Sequence, residues 1–137
     1  MWKLYAILSA IFAALVAILA KLGIHGIDSN LATAIRTVVI LAITWGIVLF
    51  SGKMDGISTL SRVNWIFLIL SGIATGLSWL FYFKALQLGD ASKVAPIDKL
   101  SVAIAIFLGI VVLGEPADPK VILGGLLILS GTIVIIL

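Results

Sequence analysis

Five long apolar runs, separated by short polar breaks, organise the chain. They extend over about Leu4 to Leu22, Asn30 to Phe50, Asn64 to Leu86, Ser92 to Leu113 and Pro119 to Leu137. Each is close to the roughly 20 residues that a helix needs to cross about 30 Å of hydrocarbon. The runs are continuous rather than alternating, which argues against a transmembrane β-barrel. The pattern therefore predicts an all-α integral membrane protein. Its five transmembrane helices form one unit over residues 1–137, with no extramembrane domain.

The breaks carry helix punctuation. Asp28 or Ser29 is placed to cap the second helix, and Asp118-Pro119 reads as an N-cap followed by proline at the first helical position. Gly89 is expected to end the third helix as a C-terminal glycine, and Pro116 to stop the fourth. Trp2, Tyr5 and Trp65 fall on one membrane surface, where aromatic belts form. Met1-Trp2-Lys3 could open a signal peptide. The following run is long and ends at Lys21, and four more spans follow, so it is read as a retained first helix.

Composition narrows the function classes. Of 137 residues, 63% are hydrophobic and 11% charged. A soluble domain has about 45–50% apolar and about 25% charged residues. An ordinary soluble enzyme, a disordered tail and a nucleic-acid module are thereby excluded. The net charge of +3 comes from bases scattered singly along the chain, so it does not build a nucleic-acid surface. There is no cysteine, and His25, the one histidine, sits in a loop. Neither a metal site nor a cofactor is expected. No serine–histidine or paired-carboxylate arrangement falls within a span, so the chain is not read as an enzyme.

The basic residues are nearly balanced across the membrane. The N-terminal side carries Lys3, Lys53, Arg62 and Lys120; the other carries Lys21, Lys84 and Lys93. Orientation follows an excess of Lys and Arg in cytoplasmic loops, and here that excess is almost absent. Insertion in both orientations with antiparallel pairing is the expectation; a fixed orientation set by other factors is the alternative. Two such units in tandem would be mutually inverted, a common plan of secondary transporters. A single unit reaches the same symmetry by dimerising. No internal repeat is evident.

Ionisable residues within spans are costly and point to function. Arg36, Asp98 and Lys99 lie at matching depth, roughly 9–11 Å below the second surface at 1.5 Å per residue. Asp98 and Lys99 are adjacent in sequence, so they point about 100° apart and cannot simply neutralise one another. An Arg36–Asp98 pair would leave Lys99 as surplus charge. Lys99, with or without Arg36, would then bind a carboxylate or phosphate. The competing reading is a buried stabilising pair, with Lys99 snorkelling to the surface. Pro96 either bends this helix or interrupts it, exposing backbone groups to a solute.

Hydroxyls extend the candidate site. Ser71, Thr75, Ser78 and Tyr82 share one face of the third helix. Gly72 and Gly76 form a GxxxG on the neighbouring face, read mainly as packing, with Trp79 and Phe83 continuing it. Trp79 is near the depth of Arg36. Thr33, Arg36, Thr37 and Thr44 share a face of the second helix. The candidate substrate-binding residues are Arg36, Thr37, Thr75, Ser78, Trp79, Tyr82, Asp98 and Lys99. Ser9, Ala13 and Ala17, and Gly124 with Gly131, read as packing seams. Glu115 and Asp118 read as solvated loop acids.

Several segments together resemble the EamA-type branch of the drug/metabolite transporter superfamily. They are Lys21-Leu22-Gly23, Ala34-Ile35-Arg36-Thr37, Trp79 through Leu86, Ala95-Pro96-Ile97-Asp98-Lys99-Leu100-Ser101 and Leu113-Gly114-Glu115. Their order and spacing cover essentially the whole chain as one five-helix repeat, similar to the short members of that family. The resemblance implies a multi-pass carrier of small metabolites in a prokaryotic inner (plasma) membrane, working by alternating access. The chain is also similar to the four-helix small multidrug resistance proteins, which act as antiparallel dimers and carry an essential glutamate in their first helix. Here Ala10 to Ala17 holds no acid, a departure that disfavours export of cationic drugs. The expected function is transport of an anionic or zwitterionic solute by an antiparallel homodimer, with lipid and solute as its other partners. The alternatives are an accessory or scaffold subunit, and a cation exporter of the multidrug type.

Overall fold

The computed structural model describes residues 1–137. Six α-helices follow in order: α1 (Trp2–Gly23), α2 (Ser29–Phe50), α3 (Arg62–Leu88), α4 (Ala91–Asp98), α5 (Leu100–Leu113) and α6 (Pro119–Ile136). A short 3-10 helix, Met54–Thr59, lies in the connection between α2 and α3. Five segments are long and apolar enough to cross a membrane, α4 and α5 together making the fourth over Ala91–Leu113. The protein is a multi-pass, all-α membrane protein. Most of its Leu, Ile, Val and Phe side chains face outward, because lipid tails are as apolar as they are.

The helix ends differ from expectation at two points. The third span is longer than Asn64 to Leu86 and runs over Arg62–Leu88. Gly89 follows α3 directly, as expected, and Gly26, Gly52 and Gly114 are left-handed, with φ of 78°, 66° and 69°. The fourth span ends at Leu113 on the left-handed Gly114. That glycine, two residues before Pro116, makes the stop, because a positive φ costs it nothing.

The chain divides into two compact units, Ala20–Gln87 and Met1–Leu19 with Leu88–Leu137. In the first, Asp28 caps α2 by accepting from the amides of Asn30 (2.9 Å) and Leu31 (3.1 Å). The end of α3 is tied down by side chains. Lys21 Nζ donates to the Leu86 carbonyl at 2.7 Å, and Gln87 Nε2 donates to the Ile27 carbonyl at 2.8 Å. A cation on the last carbonyls of a helix satisfies acceptors that have no intrahelical partner and complements the helix dipole. Phe83 and Leu86 are the best-buried large side chains, at 1% and 0% exposure.

In the second unit α5 packs on α6, and α4 packs on both. Gly125 lies under Ile106, where an added Cβ would come within 3.0 Å of Cδ1. Asp118 caps α6 through the Lys120 amide at 2.9 Å, with Pro119 at the first helical position. Glu115 folds back so that its carboxylate covers Gly109, and its amide donates to the Gly109 carbonyl at 3.1 Å.

The fourth span is broken. α4 stops at Asp98 and α5 starts at Leu100, with Lys99 between them at φ −71°, ψ −5°. Two three-residue bonds, Lys99 N to Pro96 O and Val102 N to Lys99 O, both 3.0 Å, replace the four-residue pattern here. Proline supplies no N–H to the preceding turn and strains the helix around it. On the neighbouring helix, Thr132 Oγ1 lies 3.3 Å from the Pro96 carbonyl and 2.9 Å from that of Ile128. The disturbed carbonyl thus gains a partner inside the unit.

Candidate functional site

The unit Ala20–Gln87 contains an open cleft of about 1140 Å³ between α2 and α3. Its polar wall comes from Asn30, Thr33, Thr37 and Thr44 on α2 and from Ser71 and Thr75 on α3. Trp45, Trp79, Leu68 and Leu80 supply apolar surface. Gly72 and Gly76 line the same cleft, and no atom lies within 4 Å of a Cβ built on either. Within this unit the GxxxG widens the cleft rather than seating a neighbouring helix. The threonines recur one or two turns apart on α2, which brings them onto a single face.

Arg36 stands beside this wall. Its guanidinium carbon is 4.2 Å from the centre of the Phe83 ring and 5.8 Å from that of Trp79. Both lie within the range where an aromatic face attracts a cation. Tyr82 packs edge-on against Phe83, with ring centres 5.9 Å apart. Nη1 of Arg36 is buried and has no hydrogen-bond partner. Leaving a buried charged donor unsatisfied is costly, and the faces of Phe83 and Trp79 offset part of that cost. Trp79 belongs to both features, lining the cleft on one hand and lying against Arg36 on the other.

The second cluster is at the break in the fourth span, in the other unit. Lys99 Nζ lies 3.3 Å from Asp98 Oδ2, with the two side chains 52% and 36% exposed. This corrects the expectation that the two cannot neutralise one another. The 100° separation holds for an unbroken helix, and the helix is interrupted between them. Within its own unit Asp98 takes Lys99 as its ion-pair partner. Lys99 thus has a partner, whereas Nη1 of Arg36 is a buried charged donor without a hydrogen bond.

Of the eight candidate residues, the cleft wall includes Thr37, Thr75 and Trp79. Arg36 adjoins it, and Tyr82 supports the Phe83 ring beneath Arg36. Ser78 is not part of the wall, and Asp98 and Lys99 form their own pair. Sequence reasoning missed Phe83 as the platform for Arg36 and Asn30 and Trp45 as wall residues. It also missed Thr132 as the partner of Pro96. Phe83 had a signal, standing one turn after Trp79 on the same face. Thr132 is one of only two hydroxyl residues in α6.

A profile of the EamA-like transporter family matches residues 1–137. The chain belongs to that family. A Sinorhizobium sp protein named "Uncharacterized transporter in cobO 3'region" is 47% identical over 134 residues, covering 98% of this chain and 95% of its own length. No solved structure matches. In this EamA-like chain the residues that stood out by charge, Arg36, Asp98 and Lys99, all lie within spans two and four. A multi-pass protein of a transporter family thus carries a guanidinium with one buried, unbonded donor next to a hydroxyl-lined cleft.

Proposed function

We propose that this protein is a secondary transporter of small zwitterionic or anionic metabolites. It works as an antiparallel homodimer of the five-helix unit in the bacterial inner membrane, and its role is transport rather than catalysis. The observation that carries the reading is the buried, unpartnered Nη1 of Arg36 beside the α2–α3 cleft. A charge kept within a span is a functional hypothesis by default, and a guanidinium binds carboxylates through paired donors.

Alternating access supplies the motion. In the described state Phe83 and Trp79 cover the guanidinium. Rocking of one protomer against the other would swing Trp79 aside and admit the solute's acid group to Arg36. The near balance of basic residues on the two surfaces supports two orientations, and hence an antiparallel pair. The ion pair at the break in the fourth span holds the other two charged candidates, Asp98 and Lys99.

The test is counterflow in proteoliposomes with amino acids, carboxylates and organic cations, run on wild type and Arg36→Gln. The expected result is exchange of acid-bearing solutes by wild type and loss of that exchange in the variant. Absence of flux from any solute class would return the chain to an accessory or scaffold role. Cation exchange untouched by Arg36→Gln would make it an exporter of the multidrug type. Reporter tags on each terminus test the dimer: a single orientation for the whole population rules out antiparallel pairing.

A further inference from the structure

The cleft itself has a chemical polarity opposite to that of Arg36. Each of its four threonines donates its hydroxyl proton to a main-chain carbonyl of its own helix. Thr33 donates to Ser29 O and Thr37 to Thr33 O, both at 2.8 Å. Thr44 donates to Ile40 O at 2.9 Å and Thr75 to Ser71 O at 2.8 Å. A hydroxyl has one proton and two lone pairs. With the proton committed to the backbone, what each threonine turns toward the cleft is an acceptor. No acidic or basic side chain lines the cleft, and the indoles of Trp45 and Trp79 add electron-rich faces. Acceptors and aromatic faces in a site of low dielectric favour a solute group that donates or is positively charged.

We propose that the threonine ladder is a subsite for the ammonium group of the solute, with Thr37 and Thr75 as its central acceptors. This inference rests on Arg36 holding the solute's carboxylate, and it specifies the solute class as a zwitterion with a primary amine close to its acid group. Arg36 and Thr37 are consecutive on α2, and Trp79 touches the guanidinium while lining the cleft. The acid-seeking group and the amine-seeking wall are therefore linked through Trp79, on the same stretch of α2. A hydrogen bond to a charged group is strong enough to separate an amine-bearing solute from its deaminated analogue by about tenfold or more.

The experiment measures ligand-induced thermal shifts of the purified full chain with four probes: L-leucine, isocaproate (leucine without its amine), isoamylamine (leucine without its carboxylate) and glycerophosphoethanolamine. Affinities come from the concentration dependence of the shift. Wild type is expected to bind leucine about tenfold more tightly than isocaproate. In Thr37→Val/Thr75→Val, which keeps the side-chain shape and removes the acceptors, the ratio should fall to about one. Thr37→Ser/Thr75→Ser, which restores the acceptors, should recover it. An unchanged ratio in the valine variant overturns the proposal, and so does the absence of a shift with every probe. Glycerophosphoethanolamine binding as tightly as leucine would assign the ladder to a lipid headgroup and overturn the solute subsite. Arg36→Gln separates the two ideas. Isocaproate binding that survives it sinks the carboxylate role of Arg36, whereas a collapsed ratio in the valine variant still upholds the ladder.

Discussion

The two compact units treat polar groups within the membrane in opposite ways. In Met1–Leu19 with Leu88–Leu137, the charges and the proline carbonyl at the break of the fourth span have partners within the unit. Lys99 pairs with Asp98, Thr132 bonds the Pro96 carbonyl, and Asp118 closes the start of α6. In Ala20–Gln87 the helix ends are tied equally well, by Asp28, Lys21 and Gln87, yet the interior is left open. Arg36 keeps a buried donor without a partner, and the adjoining cleft is lined by hydroxyls, glycines and indoles. The lesson is that the number of charges in a span is a poor guide to the site. The two adjacent charges of the fourth span look more conspicuous, but the solitary one of the second span has the unmet chemistry.

The widest separation between the units is expected at Arg36. Arg36→Leu should weaken binding of an acid-bearing solute at least ~30-fold, the scale of removing one buried charged partner. Its melting temperature should hold or rise, because replacing a buried charge with an apolar side chain is often neutral or stabilising. A lower melting temperature with binding intact would make Arg36 structural and erase the contrast. Next comes Phe83→Ala, which removes the platform and leaves a cavity. It should cost about 3 kcal/mol of stability in detergent unfolding, and a cost near zero would mean that Phe83 is not part of the core. Asp98→Asn should cost less than about 1 kcal/mol, as partly exposed ion pairs do; a several-fold larger cost would mean that the pair organises the broken span. Thr132→Val should be smallest, at about 0.6 kcal/mol, the usual worth of a side-chain hydrogen bond between membrane helices. Denaturation midpoints of wild type and variant decide it.

Much of this protein was legible from one dimension. Five spans, their approximate ends, the caps at Asp28 and Asp118 and the gathering of polar residues on one face of α2 and one face of α3 follow from hydropathy and helical periodicity. Both are local properties that survive any arrangement of the helices. The family follows from the order of short motifs along the chain. The partners of the charges did not follow. Equal depth made Arg36 and Asp98 a natural pair, but depth fixes only one coordinate. The break at Lys99 changed the local geometry that had held Asp98 and Lys99 apart. The role of the GxxxG also depended on what lies opposite it: small residues permit a close approach, and in this unit they border open space instead.

Sequence alone therefore settled what kind of molecule this is and which helices hold its polar groups, because burial in lipid imposes length and periodicity residue by residue. Tertiary structure decided which of those groups are already satisfied and which remain available. A hydrogen bond or ion pair is set by a few ångströms between side chains, a distance that periodicity does not encode.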